Sequence, residues 1–196
     1  MRELILGGAR SGKSKMAEAK ALHSGHHVSY IATATVYDDE MQARVNQHKN
    51  SRPQHWNIVE EPINLATAIE AISEQYYSER HNSEQHCIII DCLTLWLTNL
   101  LMTSDDTLFA TQKQALLHAI QHTKCHLIMV SNETGMGIIP LGDITRRFVD
   151  EAGKLHQEIA AIADQVTLSV AGLPHVLKCN SDTIATKVYK NASQTK

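Results

Sequence analysis

Residues 7–14 read Gly7-Gly8-Ala9-Arg10-Ser11-Gly12-Lys13-Ser14, which matches the phosphate-binding loop pattern G-x-x-x-x-G-K-[ST]. Glycines in this pattern let the backbone turn tightly and point its N–H groups at a phosphate, and the lysine adds a positive charge. The hydroxyl of Ser14 is of the kind that ligates Mg²⁺. Residues 2–6 predict a short strand, and residues 15–22 are strong helix formers. Strand, loop and helix in this order predict a site for a nucleoside triphosphate.

The bulk composition is typical of one compact domain. The chain has 196 residues, of which 43% are hydrophobic and 20% charged, and its formal net charge is −3. A chain of this length buries a substantial core in one unit. We predict a single domain over residues 1–180, followed by a polar tail at 181–196. The mild acidity gives no electrostatic support for a nucleic-acid partner.

Cysteine usage and hydropathy favour a cytoplasmic protein. The four cysteines, Cys87, Cys92, Cys125 and Cys179, have no C-x-x-C spacing, which is typical of reduced thiols in packing positions. The histidines form no zinc-binding pattern, so we expect no structural zinc. No signal peptide is visible, and no apolar run approaches the ~20 residues that span a bilayer. We therefore expect a soluble cytoplasmic protein.

Short apolar runs alternate with longer helical patterns, as in α/β folds with a mainly parallel sheet. Further strands are predicted at residues 27–33, 55–59, 87–91, 126–131 and 166–170. Helices are predicted at residues 38–50, 63–77, 93–102, 108–123 and 143–164, with a polar loop at 78–85. The expected core positions of the last helix are Ile144, Phe148, Leu155, Ile159 and Ile162. The pattern predicts a P-loop NTPase-like domain with a central, mostly parallel sheet flanked by helices.

Asp91 is the next candidate for chemistry, because it ends the buried strand predicted at residues 87–91. A carboxylate in that position resembles a Walker B element, which holds Mg²⁺ opposite the phosphate loop. Ligands of parallel sheets collect at the carboxyl ends of the strands, where both Asp91 and the loop would lie. The alternative is that Asp91 caps the helix that starts near Leu93.

The residues alone indicate Mg²⁺-dependent phosphoryl transfer and do not identify the acceptor. The guanine-selecting N-K-x-D stretch of regulatory GTPases is absent from the sequence, and so is the transporter-ATPase signature. Two interpretations are open from these residues. One is a small-molecule kinase without nucleotidyl transfer, and the other is a nucleotide-dependent switch or binding protein.

Several other blocks along the chain carry a family resemblance. They are Tyr30-Ile31-Ala32-Thr33, Asp38-Asp39-Glu40-Met41, Arg44-x-x-x-His48, Arg52-Pro53-x-x-Trp56, Asp91-Cys92-Leu93-Thr94, Asn132-Glu133-x-Gly135-x-Gly137-Ile138-x-Pro140 and Ala171-Gly172-Leu173-Pro174. With the phosphate loop, these blocks resemble the bifunctional adenosylcobinamide kinase/adenosylcobinamide-phosphate guanylyltransferase family of cobalamin assembly. They occur in family order from residue 7 to about residue 178.

The resemblance implies two reactions. Adenosylcobinamide is phosphorylated with ATP or GTP, and GMP is then transferred from GTP to adenosylcobinamide phosphate through a GMP–histidine intermediate. The matching histidine is His48, and the second catalytic residue is Lys13 of the phosphate loop. An imidazole nitrogen can attack a phosphorus atom, and the phosphoramidate that forms is labile. Without the resemblance, His48 on its predicted helix could equally be a structural residue at the border of the hydrophobic core.

The resemblance also assigns binding residues. The nucleotide contacts are residues 7–14 together with Ala32, Thr33, Ala34, Lys49, Asn50, Ser51, Arg52, Glu60 and Asp91. The predicted Mg²⁺ ligands are those of the loop and Walker B patterns, Ser14 and Asp91. Glu61 is the alternative to Glu60, because a shift of one residue in the match to the family would assign the nucleotide contact to Glu61 instead. Asn132 and Glu133 are expected to border the site, whereas Arg146 and Arg147 are interpreted as exposed helix residues outside it. The family forms a ring-like trimer, which we carry over as an expectation.

Overall fold

The computed structural model describes residues 1–35, 52–80 and 85–180. The strands are β1 (Arg2–Gly7), β2 (His27–Ala32), β3 (Asn57–Glu60), β4 (His86–Asp91), β5 (His126–Asn132), β6 (Gln165–Val170) and β7 (Leu173–Cys179). The helices are α1 (Lys13–His23), α2 (Leu65–Arg80), α3 (Leu93–Met102), α4 (Asp106–His122) and α5 (Asp143–Ile162). The predicted helix at 38–50 and the predicted tail at 181–196 lie outside the described residues.

The seven strands form one sheet in the order β3-β2-β4-β5-β1-β6-β7. All neighbouring strands run parallel except β6 and β7, which are antiparallel. The parallel strands therefore end together at one edge of the sheet, called here the carboxyl edge, and begin together at the opposite amino edge. Because β1 lies inside the sheet, the loop that follows it sits in the middle of the carboxyl edge, where α/β proteins bind ligands.

Both faces of the sheet are buried, which explains why the inner strands are mostly apolar. Leu4, Ile88 and Met129 point to the face covered by α2–α5. Their neighbours, such as Ile5 and Ile128, pack on the other face with α1. Where both faces of a strand are buried, most of its side chains are apolar, and a buried polar one such as Glu3 has a hydrogen-bond partner. Three cysteines contribute to this interior, and all four are free thiols.

The mostly parallel α/β architecture is confirmed, and three local predictions are corrected. Strand β7 was not predicted, because its exposed residues show no alternation and it pairs with β6 alone. Helix α2 continues to Arg80, into the stretch predicted as a loop. Ile144 is 54% exposed rather than core, because it lies in the first turn of α5, ahead of the part that packs on the sheet. Leu155 and Ile159 are buried as expected.

The amino edge of the sheet is held by ion pairs. The buried carboxylate of Glu3 accepts a hydrogen bond from Lys20 Nζ at 2.6 Å. At the same edge, Asp164 pairs with the guanidinium of Arg2 at 3.2 Å. Burial alone would raise the pKa of Asp164, but the hydrogen bonds and the charge of Arg2 bring it below its ordinary value. In the described part of the chain, no helix has the length and apolar character needed to cross a bilayer.

Candidate active site

The phosphate loop joins the end of β1 to the start of α1 and depends on glycine at two positions. A Cβ on Gly7 would lie 2.4 Å from Ser11 Oγ and 2.6 Å from the carbonyl oxygen of Ser169, so no side chain fits there. Gly12 has a φ of 93°, in the left-handed region that favours glycine. It is the N-cap residue of α1, and no side chain caps the first turn. The N-terminal N–H groups of such a helix favour an anion.

The hairpin between β6 and β7 holds the loop from behind. Ala171 and Gly172 have φ values of 53° and 78°, as the two central residues of a type I′ turn require. The hydroxyl of Ser169 and the N–H of Gly172 each donate to the carbonyl of Ser11 at 2.8 Å. The sequence analysis missed this support. A glycine-containing pair between two short β-type runs was the signal that could have found it.

Lys13 is buried within the loop, with 8% of its surface exposed. Its Nζ donates to the carbonyl of Gly8 at 2.9 Å. Burial lowers the pKa of Lys13, while the nearby Cys92 and Asp91 act in the opposite direction. The lysine and the carboxylate of Asp91 therefore share one electrostatic environment, although 78 positions separate them in the sequence.

Asp91 ends β4 at the carboxyl edge, and Tyr30 holds its carboxylate. The hydroxyl of Tyr30 donates to Asp91 Oδ2 at 2.6 Å. The N-cap residue of α3 is Cys92, without a side-chain cap, so the helix-capping alternative for Asp91 is wrong. Burial raises the pKa of Tyr30 well above its ordinary value, and the charge of Asp91 adds to the effect. Tyr30 thus stays a neutral donor to the carboxylate.

Tyr30 also connects Asp91 to Arg52. The guanidinium carbon of Arg52 lies 3.6 Å from the centroid of the Tyr30 ring, a cation–π contact. The ring of Trp56 stacks near Tyr30, with 6.3 Å between centroids and 23° between planes. Sequence reasoning quoted Tyr30 only as part of a block and missed its position between two predicted site residues. Nothing in its local spacing indicates that position, because the contacts come from three separate segments.

An open cleft of about 420 Å³ begins beside this stack. Its lining residues are Arg52, Pro53, Gln54, Trp56, Ile58 and Glu60. Glu61 is directed elsewhere, because its Oε1 accepts the N–H groups of Ile63 at 2.9 Å and Asn64 at 2.7 Å. The geometry therefore favours Glu60 over Glu61 as the residue that faces a ligand in the cleft.

The end of β2 lies between the cleft and Asp91. Ala32 is in register with Glu60 on one side and with Asp91 on the other. The hydroxyl of Thr33 is fully used, since it donates to the carbonyl of Cys92 at 2.7 Å and accepts its N–H at 2.8 Å. Thr33 therefore fixes the backbone here, and Ala34 follows it directly. Any ligand contact of this segment is with its backbone or with the small alanine side chains.

The remaining predicted residues divide into three groups. His48, Lys49, Asn50 and Ser51 lie outside the described residues. Asn132 and Glu133 do border the phosphate loop, because Asn132 pairs with Gly7 in register and the N–H of Glu133 donates to the Gly7 carbonyl at 3.0 Å. Arg146 pairs with Asp143 in the first turn of α5, and Arg147 pairs with Asp106 at the start of α4.

The donor set at the carboxyl edge fits Mg²⁺. Ser14 offers a hydroxyl and Asp91 a carboxylate, both hard oxygen donors of the type that Mg²⁺ prefers. In the part of the chain that the structure describes, no group of three or more His, Cys, Asp or Glu side chains converges on one point. A Mg²⁺ site of one or two protein ligands, completed by phosphate oxygens and water, needs no such group.

Two solved structures with a similar fold are ATPases. The assembled ATPase EscN of the enteropathogenic Escherichia coli type III secretion system aligns with a TM-score of 0.57 and 13% identity, over 87% of this chain and 43% of EscN. A second ATPase, from the type III secretion system of pathogenic bacteria, aligns with a TM-score of 0.53 and 12% identity, over 89% of this chain and 56% of its own. The chain thus spans about half of each ATPase, and the likeness shows the fold alone.

Relatives by sequence are much closer in length and identity. The bifunctional adenosylcobalamin biosynthesis protein CobP of Pseudomonas aeruginosa is 49% identical over 91% of this chain and 98% of CobP. The bifunctional adenosylcobalamin biosynthesis proteins CobU of Escherichia coli and Salmonella typhimurium are 36% and 37% identical, over 87% of this chain and 96% of theirs. The family model described as cobinamide kinase / cobinamide phosphate guanyltransferase matches residues 3–177. The chain belongs to this cobinamide kinase / cobinamide phosphate guanyltransferase family of transferases.

Proposed function

We propose that this chain carries out both reactions of its family. It phosphorylates adenosylcobinamide with ATP or GTP, and then transfers GMP from GTP to adenosylcobinamide phosphate, giving adenosylcobinamide-GDP. The observation that carries the proposal is the family match over residues 3–177, which spans the phosphate loop, the cleft and the segment between them. The relatives named above are described as bifunctional, which favours this reading over a kinase without nucleotidyl transfer and over a switch protein.

In the kinase step, the phosphate loop binds the nucleotide through its backbone N–H groups and the ammonium of Lys13. The acceptor hydroxyl attacks the γ-phosphorus and its proton passes to solvent, while the bond between that phosphorus and the β,γ-bridging oxygen breaks and the nucleoside diphosphate leaves. Mg²⁺, held by Ser14 and Asp91 when bound, supplies positive charge for the phosphate oxygens. Lys13 is part of the loop that would hold the phosphates, so we expect its charge to stabilise the negative charge that develops on the leaving nucleoside diphosphate.

In the guanylyl step, a ring nitrogen of His48 attacks the α-phosphorus of GTP. A nitrogen–phosphorus bond forms, the bond to the α,β-bridging oxygen breaks, and pyrophosphate leaves. A phosphate oxygen of the acceptor then attacks the same phosphorus and releases the histidine. Arg52 supports this step, because its stacking on Tyr30 holds a positive charge beside the cleft.

Glu60 fits the recognition of guanine. A carboxylate accepts two hydrogen bonds side by side, and guanine offers two adjacent N–H donors on its Watson–Crick edge. Glu60 lines the cleft, while Glu61 is used at the start of α2. We therefore assign the guanine contact to Glu60 and expect Glu60→Gln to weaken GTP binding more than ATP binding.

The histidine intermediate is the most direct test. The protein is incubated with α-labelled GTP and Mg²⁺, and the label on the protein is measured after acid and after base. We expect base-stable, acid-labile label in the wild type, none in His48→Ala, and full label in His55→Ala, a matched control at an exposed histidine. Absence of label in the wild type, or full label in His48→Ala, would contradict the guanylyl step.

The assembly and compartment belong to the same proposal. The family resemblance supports a homotrimer, the free cysteines support a cytoplasmic location, and the mild net acidity gives no support for a nucleic-acid partner. Light scattering coupled to gel filtration should give three times the chain mass of 21.8 kDa. A monomer in that measurement would contradict the trimer without affecting the two reactions.

A further inference from the structure

The cleft beside Tyr30 is lined by two residues whose buried hydrogen-bond donors have no partner in the fold. Trp56 is 5% exposed, and its indole Nε1 makes no hydrogen bond to any of the described residues. Within that part of the chain, Nε of Arg52 also has no hydrogen-bond partner. Both residues line the cleft of about 420 Å³. Nearly all buried polar groups of folded proteins are hydrogen-bonded, so unpaired donors at a cleft indicate a ligand with acceptor atoms.

Trp56 is the first of three side chains that follow one another along the cleft. It directly precedes β3, and alternate residues of an extended chain point to the same side, so Trp56, Ile58 and Glu60 all line the cleft. Val59, between the last two in sequence, packs on the opposite face of the sheet. The row of Trp56, Ile58 and Glu60 therefore presents an N–H donor, an apolar side chain and a carboxylate, in that order.

This row lies next to the residue predicted to hold Mg²⁺. Tyr30 is in register with Ile58, stacks near the ring of Trp56, and donates its hydroxyl to Asp91. A cleft of this volume is in the range of small-molecule sites. The negative charge of Glu60 disfavours a phosphate group on the row, because like charges repel. The part of a nucleotide that fits the row is therefore its base.

Guanine and adenine differ at an atom that the row can distinguish. Guanine carries the acceptor O6 beside its N–H donors, whereas adenine carries an amino donor, N6, where guanine has O6. The indole N–H of a tryptophan donates and cannot accept. It can therefore pair with O6 of guanine, but it would face a second donor if adenine took the same position.

We propose that Trp56 is a specificity-determining residue whose indole N–H donates to O6 of guanine, an inference that rests on the proposed function. Glu60 accepts the N–H groups of the same base, and Ile58 packs against its face. The cleft thus prefers GTP over ATP, because adenine leaves the donor of Trp56 unpaired. The guanylyl step, which uses GTP alone, is the reaction that this preference serves.

The test is Trp56→Phe, which keeps an aromatic ring beside Tyr30 and removes the donor. Binding of GTP, ATP and 6-thio-GTP is measured by calorimetry in a His48→Ala background, so that no GMP is transferred. One hydrogen bond changes a binding constant about three- to tenfold, so we expect GTP to bind the variant more weakly by that factor. ATP should bind it as it binds the parent protein. With 6-thio-GTP, whose sulfur accepts poorly, the loss should shrink.

Trp96→Phe is the matched control, because Trp96 is the second of the two tryptophans and its N–H is already used. It donates to the carbonyl of Ile63 at 2.8 Å. Trp96→Phe should lower the melting temperature and leave the preference for GTP over ATP unchanged. The control also leaves Trp56 as the single tryptophan, so its fluorescence should change when GTP is added.

Four results would overturn the assignment of Trp56. They are an undiminished preference for GTP in Trp56→Phe, an equal loss of GTP and ATP affinity, an equal loss with GTP and 6-thio-GTP, and a Trp56 fluorescence that GTP leaves unchanged. The second of these would give Trp56 a structural role only. If the wild type neither binds GTP nor takes up label from α-labelled GTP, the proposed function itself fails. A labelled wild type with any of the four results keeps the proposed function and removes only the role of Trp56.

Discussion

The two edges of the sheet use their polar groups in opposite ways. At the amino edge, charges are paired within the fold, as Glu3 is with Lys20 and Arg2 with Asp164. At the carboxyl edge, no side chain caps the first turn of α1, and apolar side chains stand in water nearby. Groups paired inside the protein stabilise it, whereas groups arranged around an open site are available to a ligand. Substitutions at the amino edge should therefore change stability, and those at the carboxyl edge activity.

The largest effect on activity is expected for Lys13→Ala. Removing one preorganised charge from a phosphoryl-transfer site costs about 10²–10³-fold in kcat. Stability should hold, because burial already disfavours the charge of Lys13. Initial rates of both reactions and thermal melting would be measured together, with the exposed Lys15→Ala as control. If activity and melting temperature fell together, the proposed difference between the two edges of the sheet would be wrong.

The largest effect on stability is expected for Lys20→Met. The substitution leaves the carboxylate of Glu3 buried without its cation, which costs about 3 kcal/mol for a buried pair broken on one side. Urea unfolding should show this loss, while kcat stays at the wild-type value. Lys154→Met removes a pair between an exposed lysine and Glu151 and should leave the unfolding free energy close to the wild-type value. A fall in kcat with Lys20→Met would argue against the assignment of stability to the amino edge and of activity to the carboxyl edge.

A smaller effect on activity is expected for Tyr30→Phe. The variant loses the hydrogen bond to Asp91 but keeps the ring under Arg52. A hydrogen bond to a charged group is worth about 1.5–3 kcal/mol, so we expect kcat to fall at least about tenfold and half-maximal activity to need more Mg²⁺. Mn²⁺ binding, followed by electron paramagnetic resonance, gives a readout without turnover. Tyr77→Phe, at a 55% exposed tyrosine, should match the wild type in both measurements.

The smallest expected effect is on the pH dependence of stability, and it comes from His126 at the amino edge. Burial, with help from the nearby N-terminal amino group, lowers the pKa of His126 from 6.5 to about 4. The unfolded chain therefore takes up a proton near pH 6.5 that the folded protein resists, so this group makes stability fall as the pH drops from 6.5 towards 4. In His126→Phe this part of the slope should vanish, while His23→Phe, at an exposed site, keeps it. Equal slopes in all three proteins would remove His126 as the cause.

Sequence patterns located the phosphate loop and the buried strands because these depend on local chemistry. The pattern at residues 7–14 requires glycines for its turns, and strands such as β4 are apolar because both of their faces are buried. Strand β7 escaped prediction, because an exposed edge strand has no alternation to detect. Ile144 looked like core for a related reason, since a helical period does not show where a helix leaves the sheet.

In the candidate site, too, some residues were predictable from local sequence patterns and others were not. Lys13, Ser14 and Asp91 were identified from motifs, and their roles, like that of His48, stay predictions. The support of Ser11 by Ser169 joins residues 158 positions apart, and no local pattern reports such a contact. Glu60 and Glu61 were equivalent in sequence, and the hydrogen bonds of Glu61 at the start of α2 separated them.

The sequence by itself determined the mostly parallel fold, the phosphate loop and the family, because each rests on residue types at fixed short spacings. Tertiary structure decided which distant side chains meet. It placed Tyr30 between Asp91 and Arg52, set the β6–β7 hairpin behind the loop, and left the apolar side chains of residues 136–144 exposed beside it. Such contacts depend on how strands are ordered in the sheet, and that order arises only when the whole core packs.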